Sequence, residues 1–114
     1  MANTYRRFIQ TELTSASLTN VLTVADETTA IGKSVIVSND DSADTASITM
    51  SVAPSGSGTL TIEPAKDLLP KTSEDLLLNK GPLVLQSSDI LKVKGTGGSP
   101  NVDVVASALL VDRN

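Results

Sequence analysis

The stretch Thr45-Ala-Ser-Ile-Thr-Met-Ser-Val-Ala53 decides the fold class. Ala46, Ile48, Met50 and Val52 alternate without a break with Thr45, Ser47, Thr49, Ser51 and Ala53. A period of two places the first set on one face of a strand and the hydroxyls on the other. At helical spacing the same residues would surround the cylinder and leave no apolar stripe. The segment therefore predicts a β-strand with one buried and one wet face. Its hydroxyl face is small, uncharged and has no lysine to guard it. A free sheet edge is ordinarily protected by charge or a bulge, so this strand is expected inside its sheet or under a neighbouring subunit.

Further strand patterns flank it at 19–25, 30–39, 59–62, 73–78, 83–85, 90–94 and 102–111, separated by turn clusters rich in Asn, Asp, Gly, Pro and Ser. In 30–39, Ile31, Lys33, Val35 and Val37 share one face. Lys33 is out of place there and is expected near a sheet end, with its stem on apolar surface and its ammonium in water. The cluster Asn39-Asp-Asp-Ser-Ala-Asp44 joins this strand to the opening stretch, and a hairpin between the two is the simplest pairing. Residues 63–70 are the least strand-like: Pro64 opens a short helical turn, or the segment is an irregular crossover. Residues 102–111 are apolar on both faces after Asp103, as expected of a central strand or of one covered by a neighbouring subunit. Residues 1–14 read as an extended arm or edge strand. A short helix is the alternative, since Tyr5, Phe8, Ile9, Glu12 and Leu13 also fit an apolar stripe. Seven to eight short strands with no long helix predict an all-β chain. The expected form is an antiparallel β-sandwich or jelly roll, with a single domain at 15–114 and an extended N-terminal arm at 1–14.

Composition excludes more than it assigns. A chain of 114 residues is the size of one domain. It has no cysteine, so no disulfide, thiolate metal site or thiol nucleophile is available, and no histidine, the commonest general base and metal ligand. The net charge of −4 disfavours nucleic acid and anionic membrane surfaces as partners. Apolar runs are too short for a membrane span, and the N-terminus lacks the apolar stretch of a secretory signal, so use in the cytoplasm or in an assembly built there is expected. Serine and threonine make up nearly a quarter of the chain, and Tyr5 and Phe8 are its only aromatics. The core must be aliphatic, and a stacking platform for sugars or single-stranded nucleic acid is lacking beyond residue 8.

No candidate chemistry outweighs its plain structural reading. Asn39, Asp40, Asp41 and Asp44 offer oxygen ligands for a hard cation, but Ala43 breaks the EF-hand pattern and no glutamate closes the loop. A solvated turn is the simpler account, and no metal or cofactor is expected. Gly95-Thr-Gly-Gly98 is followed by Pro100 and a strand, not by the helix N-terminus that a phosphate cradle needs. Without histidine a nucleophilic serine would need a lysine base, and Lys33 and Ser34 point to opposite faces of a regular strand. No catalytic residue is assigned and no enzyme is expected. Tyr5, Arg6, Arg7, Phe8 and Ile9 combine the residue types that anchor interfaces, and they are the candidate oligomer or partner contact. Deleting 1–14 is accordingly expected to weaken assembly and leave the fold intact.

The order of segments carries a resemblance. Val21-Leu-Thr-Val24, Thr28-Thr-Ala-Ile31 and Lys33-Ser-Val-Ile-Val-Ser-Asn39, followed by Leu83-Val-Leu85, Asp89-Ile-Leu-Lys-Val93 and Val102-Asp-Val-Val-Ala-Ser107, resemble small virion structural proteins of tailed bacteriophages over residues 18–111. The chain departs from that pattern at Gln86-Ser-Ser88 and at Ala108-Leu109, where the family carries an aromatic-containing pair. The resemblance implies a non-enzymatic homo-oligomer, assembled in the host cytoplasm into the virion, whose partners are itself and other virion proteins such as major capsid, neck or tail proteins. A capsid decoration or cement protein is the leading expectation. A neck or tail protein is the alternative, followed by a carbohydrate- or receptor-binding module.

Overall fold

The computed structural model describes residues 2–13, 18–56, 58–78, 80–96 and 102–112. Two antiparallel sheets account for most of them. Nine strands follow in chain order: β1 (Ala2–Leu13), β2 (Thr19–Thr23), β3 (Thr28–Asn39), β4 (Ala46–Ala53), β5 (Leu60–Leu68), β6 (Thr72–Asp75), β7 (Leu83–Leu85), β8 (Ile90–Thr96) and β9 (Val102–Asp112). One sheet runs β1-β9-β3-β6, with β7 also pairing to β3; the other runs β2-β8-β4-β5. The chain is all-β, as its alternation predicts.

The two inner faces form one aliphatic core. Ile48, Met50, Val93, Val37, Val102 and Val104 have no exposed surface. In β4 the alternation is obeyed as far as Met50: Ala46, Ile48 and Met50 are buried, while Ser47 and Thr49 are half-buried on the opposite face; from Met50 to Ala53 both faces are buried, Ser51 and Ala53 included. The strand lies between β8 and β5 and is therefore internal. Likewise β9, apolar on both faces, is central between β1 and β3.

Five details differ from the sequence reading. There are nine strands among the described residues, not seven or eight. Residues 2–13 take the edge-strand alternative of that reading, not the arm or the helix. They form the edge strand of the larger sheet, matched to β9 from Ala2↔Asp112 to Gln10↔Val104, and Leu13 beyond a bulge is buried. The segment around Pro64 is part of β5. Proline is tolerated because β5 is an edge strand, and the register slips between Met50↔Glu63 and Ile48↔Lys66, where Pro64 and Ala65 fall. In 73–78 only Thr72–Asp75 is strand, and Leu76 and Leu77 are buried in the turn that follows.

The last two differences concern β3. Its Gly32 pairs with Ala108 and its Ser34 with Ser107, so Lys33 is an extra residue in a bulge and is exposed. The bulge resets the alternation. Val35 and Val37 face the core, and Ile31 shares the opposite face with its β9 partner Leu109. Nor do β3 and β4 form a hairpin: they lie in different sheets, and the turn between them crosses the sandwich.

Asn39 holds that crossing. Its side chain has no exposed surface. Its Nδ2 donates to the carbonyl oxygens of Asp44 (2.9 Å) and Leu68 (3.0 Å), and its Oδ1 accepts from the Asp41 amide (3.0 Å). One side chain thus joins the end of β3, the turn and the end of β5.

Candidate interaction surface

The five β1 residues singled out from sequence divide by strand alternation between two faces. Phe8 pairs with Ala106 and packs against the core, and the Arg6 guanidinium lies 5.1 Å from the centre of its ring. Arg6 and Phe8 therefore seal the rim of the sandwich. Tyr5, Arg7 and Ile9 pair with Leu109, Ser107 and Val105 and lie on the outer face of the sheet.

That outer face has a banded composition. Reading across the strands β1, β9, β3 and β7, one row is Tyr5–Leu109–Ile31–Val84. Two residues along, the next row is Arg7–Ser107–Ser34, and beyond it lies Ile9–Val105–Ile36. Two apolar ridges thus flank a valley floored by two serines and lined at the β1 edge by Arg7. Tyr5 is 75% exposed, Val84 59%, Ile9 49% and Ile36 42%. An apolar face spread over four strands and open to water is the mark of an interaction surface, whereas isolated exposed aliphatics are ordinary.

The outer face of the other sheet contrasts with it. There Lys92 aligns with Asn20 and Ser51, and Lys94 with Thr49. Lysines and hydroxyls suit a solvated surface. Ser51 is the exception, buried with no hydrogen-bond partner for its Oγ among the described residues.

The other candidates resolve into structural roles. In the acidic turn, Asp41 Oδ1 accepts from the amides of Ala43 (2.8 Å) and Asp44 (2.9 Å), and Asp40 pairs with Lys71 at 3.0 Å. The Asp41 carboxylate caps the turn, and among the described residues no cluster of three acids is placed to hold a metal. Lys33 and Ser34 sit at the bulge, where the rule of opposite faces no longer applies. Of the glycine-rich loop, residues 97–101 lie outside the described residues. Gly95 is buried in β8 against Val102: a methyl group there would come within 3.0 Å of Val102 Cγ1.

One concavity was not legible in the sequence. A cleft of about 230 Å³ opens between β5 and β6, lined by Glu63, Lys66, Glu74, Asp75 and Lys80 with Leu76 and Leu78. Its charges are already matched: Lys66 pairs with Glu74 (3.3 Å) and Lys80 with Glu63 (3.1 Å). Asp75 Oδ1 accepts from the amides of Val35 (3.1 Å) and Leu77 (3.0 Å). The two ion pairs tie β5 to β6 and the loop after it, and so join the two sheets along the edge opposite β1. No protein-family model, curated protein or solved structure matches this chain.

Proposed function

We propose that this chain is a non-enzymatic structural component of a tailed-phage virion, a capsid decoration or cement protein that stabilises the particle as a homo-oligomer. The observation that supports this reading is the strand order. With β7 set aside, the first four strands pair with the last four in reverse: β1 with β9, β2 with β8, β3 with β6 and β4 with β5. A doubled-back ribbon of this kind, rolled so that successive pairs alternate between two sheets, is a jelly roll. Rolling brings β9 beside β3 and β8 beside β4, the two remaining contacts.

Jelly rolls serve as viral capsid modules and as lectins. A shared fold is an argument by analogy, and the surface must choose between the two. Among the described residues Tyr5 is the only aromatic exposed for stacking on a sugar, and it lies on the broad apolar face, not in a polar cleft. That favours association between proteins. A neck or tail position is the runner-up.

The test is an electron-microscopy map of the particle whose genome encodes this chain. Copies ordered on the head lattice support the proposal. Copies at the neck or tail move it to the alternative, and absence from purified particles refutes it.

A further inference from the structure

We infer that the outer face of the β1-β9-β3 sheet binds the same face of a second copy of this chain, so that two sandwiches stack into four sheet layers. The inference rests on the reading that the chain acts by self-association, and it requires no particle.

Three observations select a second copy as the occupant. The first is the spacing of the bands. Rows on one face of a strand recur every ~6.8 Å, and packed sheets interdigitate their side chains at ~10 Å separation. Consider a two-fold axis lying between the layers and running across the strands, midway between the Arg7 row and the Tyr5 row. The Tyr5–Leu109–Ile31 ridge of each copy then lies over the Arg7–Ser107–Ser34 valley of the other, bulky residues over small ones. The face is complementary to itself, as an isologous interface must be.

The second observation is charge. In this register the Arg7 guanidinium of one copy meets the Tyr5 ring of the other, twice over, as a cation–π pair. Arg7 has no ion pair among the described residues. The alternative of joining the free β1 edges, centred on either arginine, would instead set that arginine directly against its own copy.

The third is area. Three strands about 4.8 Å apart and about seven residues long, with the three-residue β7 beside them, give roughly 390 Å² of plan area. With side-chain relief, two facing copies bury on the order of 1,000 Å², the lower limit of what a specific interface needs.

The experiment is sedimentation velocity of the full chain across a concentration series, with circular dichroism to verify the fold of each variant. The wild type is expected to dimerise in the micromolar range. Tyr5→Ala removes the ridge's aromatic, and Val84→Lys puts a charge into the same apolar row. Each should raise the dimer dissociation constant at least about tenfold. Leu60→Lys is the control, since Leu60 is 57% exposed but lies on β5 in the other sheet. It should dimerise like the wild type. A wild type that stays monomeric at 100 µM overturns the inference, as does an oligomer that Tyr5→Ala and Val84→Lys leave intact or that Leu60→Lys dissolves. Because the readout uses purified protein, it is independent of whether the chain is found on a virion.

Discussion

Replacing Asn39 tests whether one polar side chain at the corner of the sandwich joins its two sheets. Asn39→Ala removes three hydrogen bonds and leaves the Asp44 and Leu68 carbonyls and the Asp41 amide without that partner. A buried protein hydrogen bond contributes about 1 kcal/mol net, and orphaned partners in a dry site add to the loss, so the expected destabilisation is about 3 kcal/mol. For a domain of this size that lowers Tm by about 15 °C. Asn39→Asp should be worse at neutral pH, because a carboxylate would face two carbonyl oxygens with no access to water. Burial would raise that carboxyl's pKa above its unfolded value near ~3.9, so the penalty grows as pH rises through about 4 towards the folded pKa. Below about pH 4 the acid is protonated in both states, it can donate one hydrogen bond, and the deficit shrinks. Urea unfolding of the two variants at pH 7 and pH 3.5 reads both effects. A loss under about 1 kcal/mol for Asn39→Ala, or no pH dependence of the Asn39→Asp deficit relative to wild type, would refute the assignment.

Gly95→Ala is expected to cost about 1–3 kcal/mol by overpacking Val102, and Val102→Ala in the same chain should recover part of it, giving a non-additive double-mutant cycle. Deleting residues 1–14 is expected to unfold the domain, contrary to the expectation from sequence, because β1 covers one side of β9 and Leu13 is 5% exposed. Loss of Leu13 alone is worth about 2–5 kcal/mol, and a truncated chain that keeps a cooperative transition near the parent's Tm would overturn this. The Lys71–Asp40 pair, with side chains 60% and 71% exposed, should show a coupling under about 0.5 kcal/mol that salt abolishes. The Lys80–Glu63 pair, where Glu63 is only 17% exposed, should retain more of its coupling in salt.

The sequence alone determined what depends on near neighbours. Strand alternation is a local steric property, so the unbroken period of Thr45–Ala53 was enough to assign β4 and its buried face. That β4, and β9 with its two-sided apolar run, are covered by strands of their own sheets and not by a neighbouring subunit was left open by the sequence and decided by the pairing. The interface residues on β1 were legible by type, but their division between core and surface was not, because it depends on a strand register that a helix or an arm would lack. The tertiary structure decided which strands pair. The choice of β9 over β4 as the neighbour of β3 is made by contacts some seventy residues apart, and no local pattern encodes it. It also decided that Pro64 could remain in a strand, since an edge leaves its missing amide facing no partner. It turned Lys33 outward through a bulge, and it made Asn39, an ordinary turn residue in the sequence, the buried link between two sheets. Burial and pairing belong to the assembled sandwich, and for these residues they outweighed local propensity.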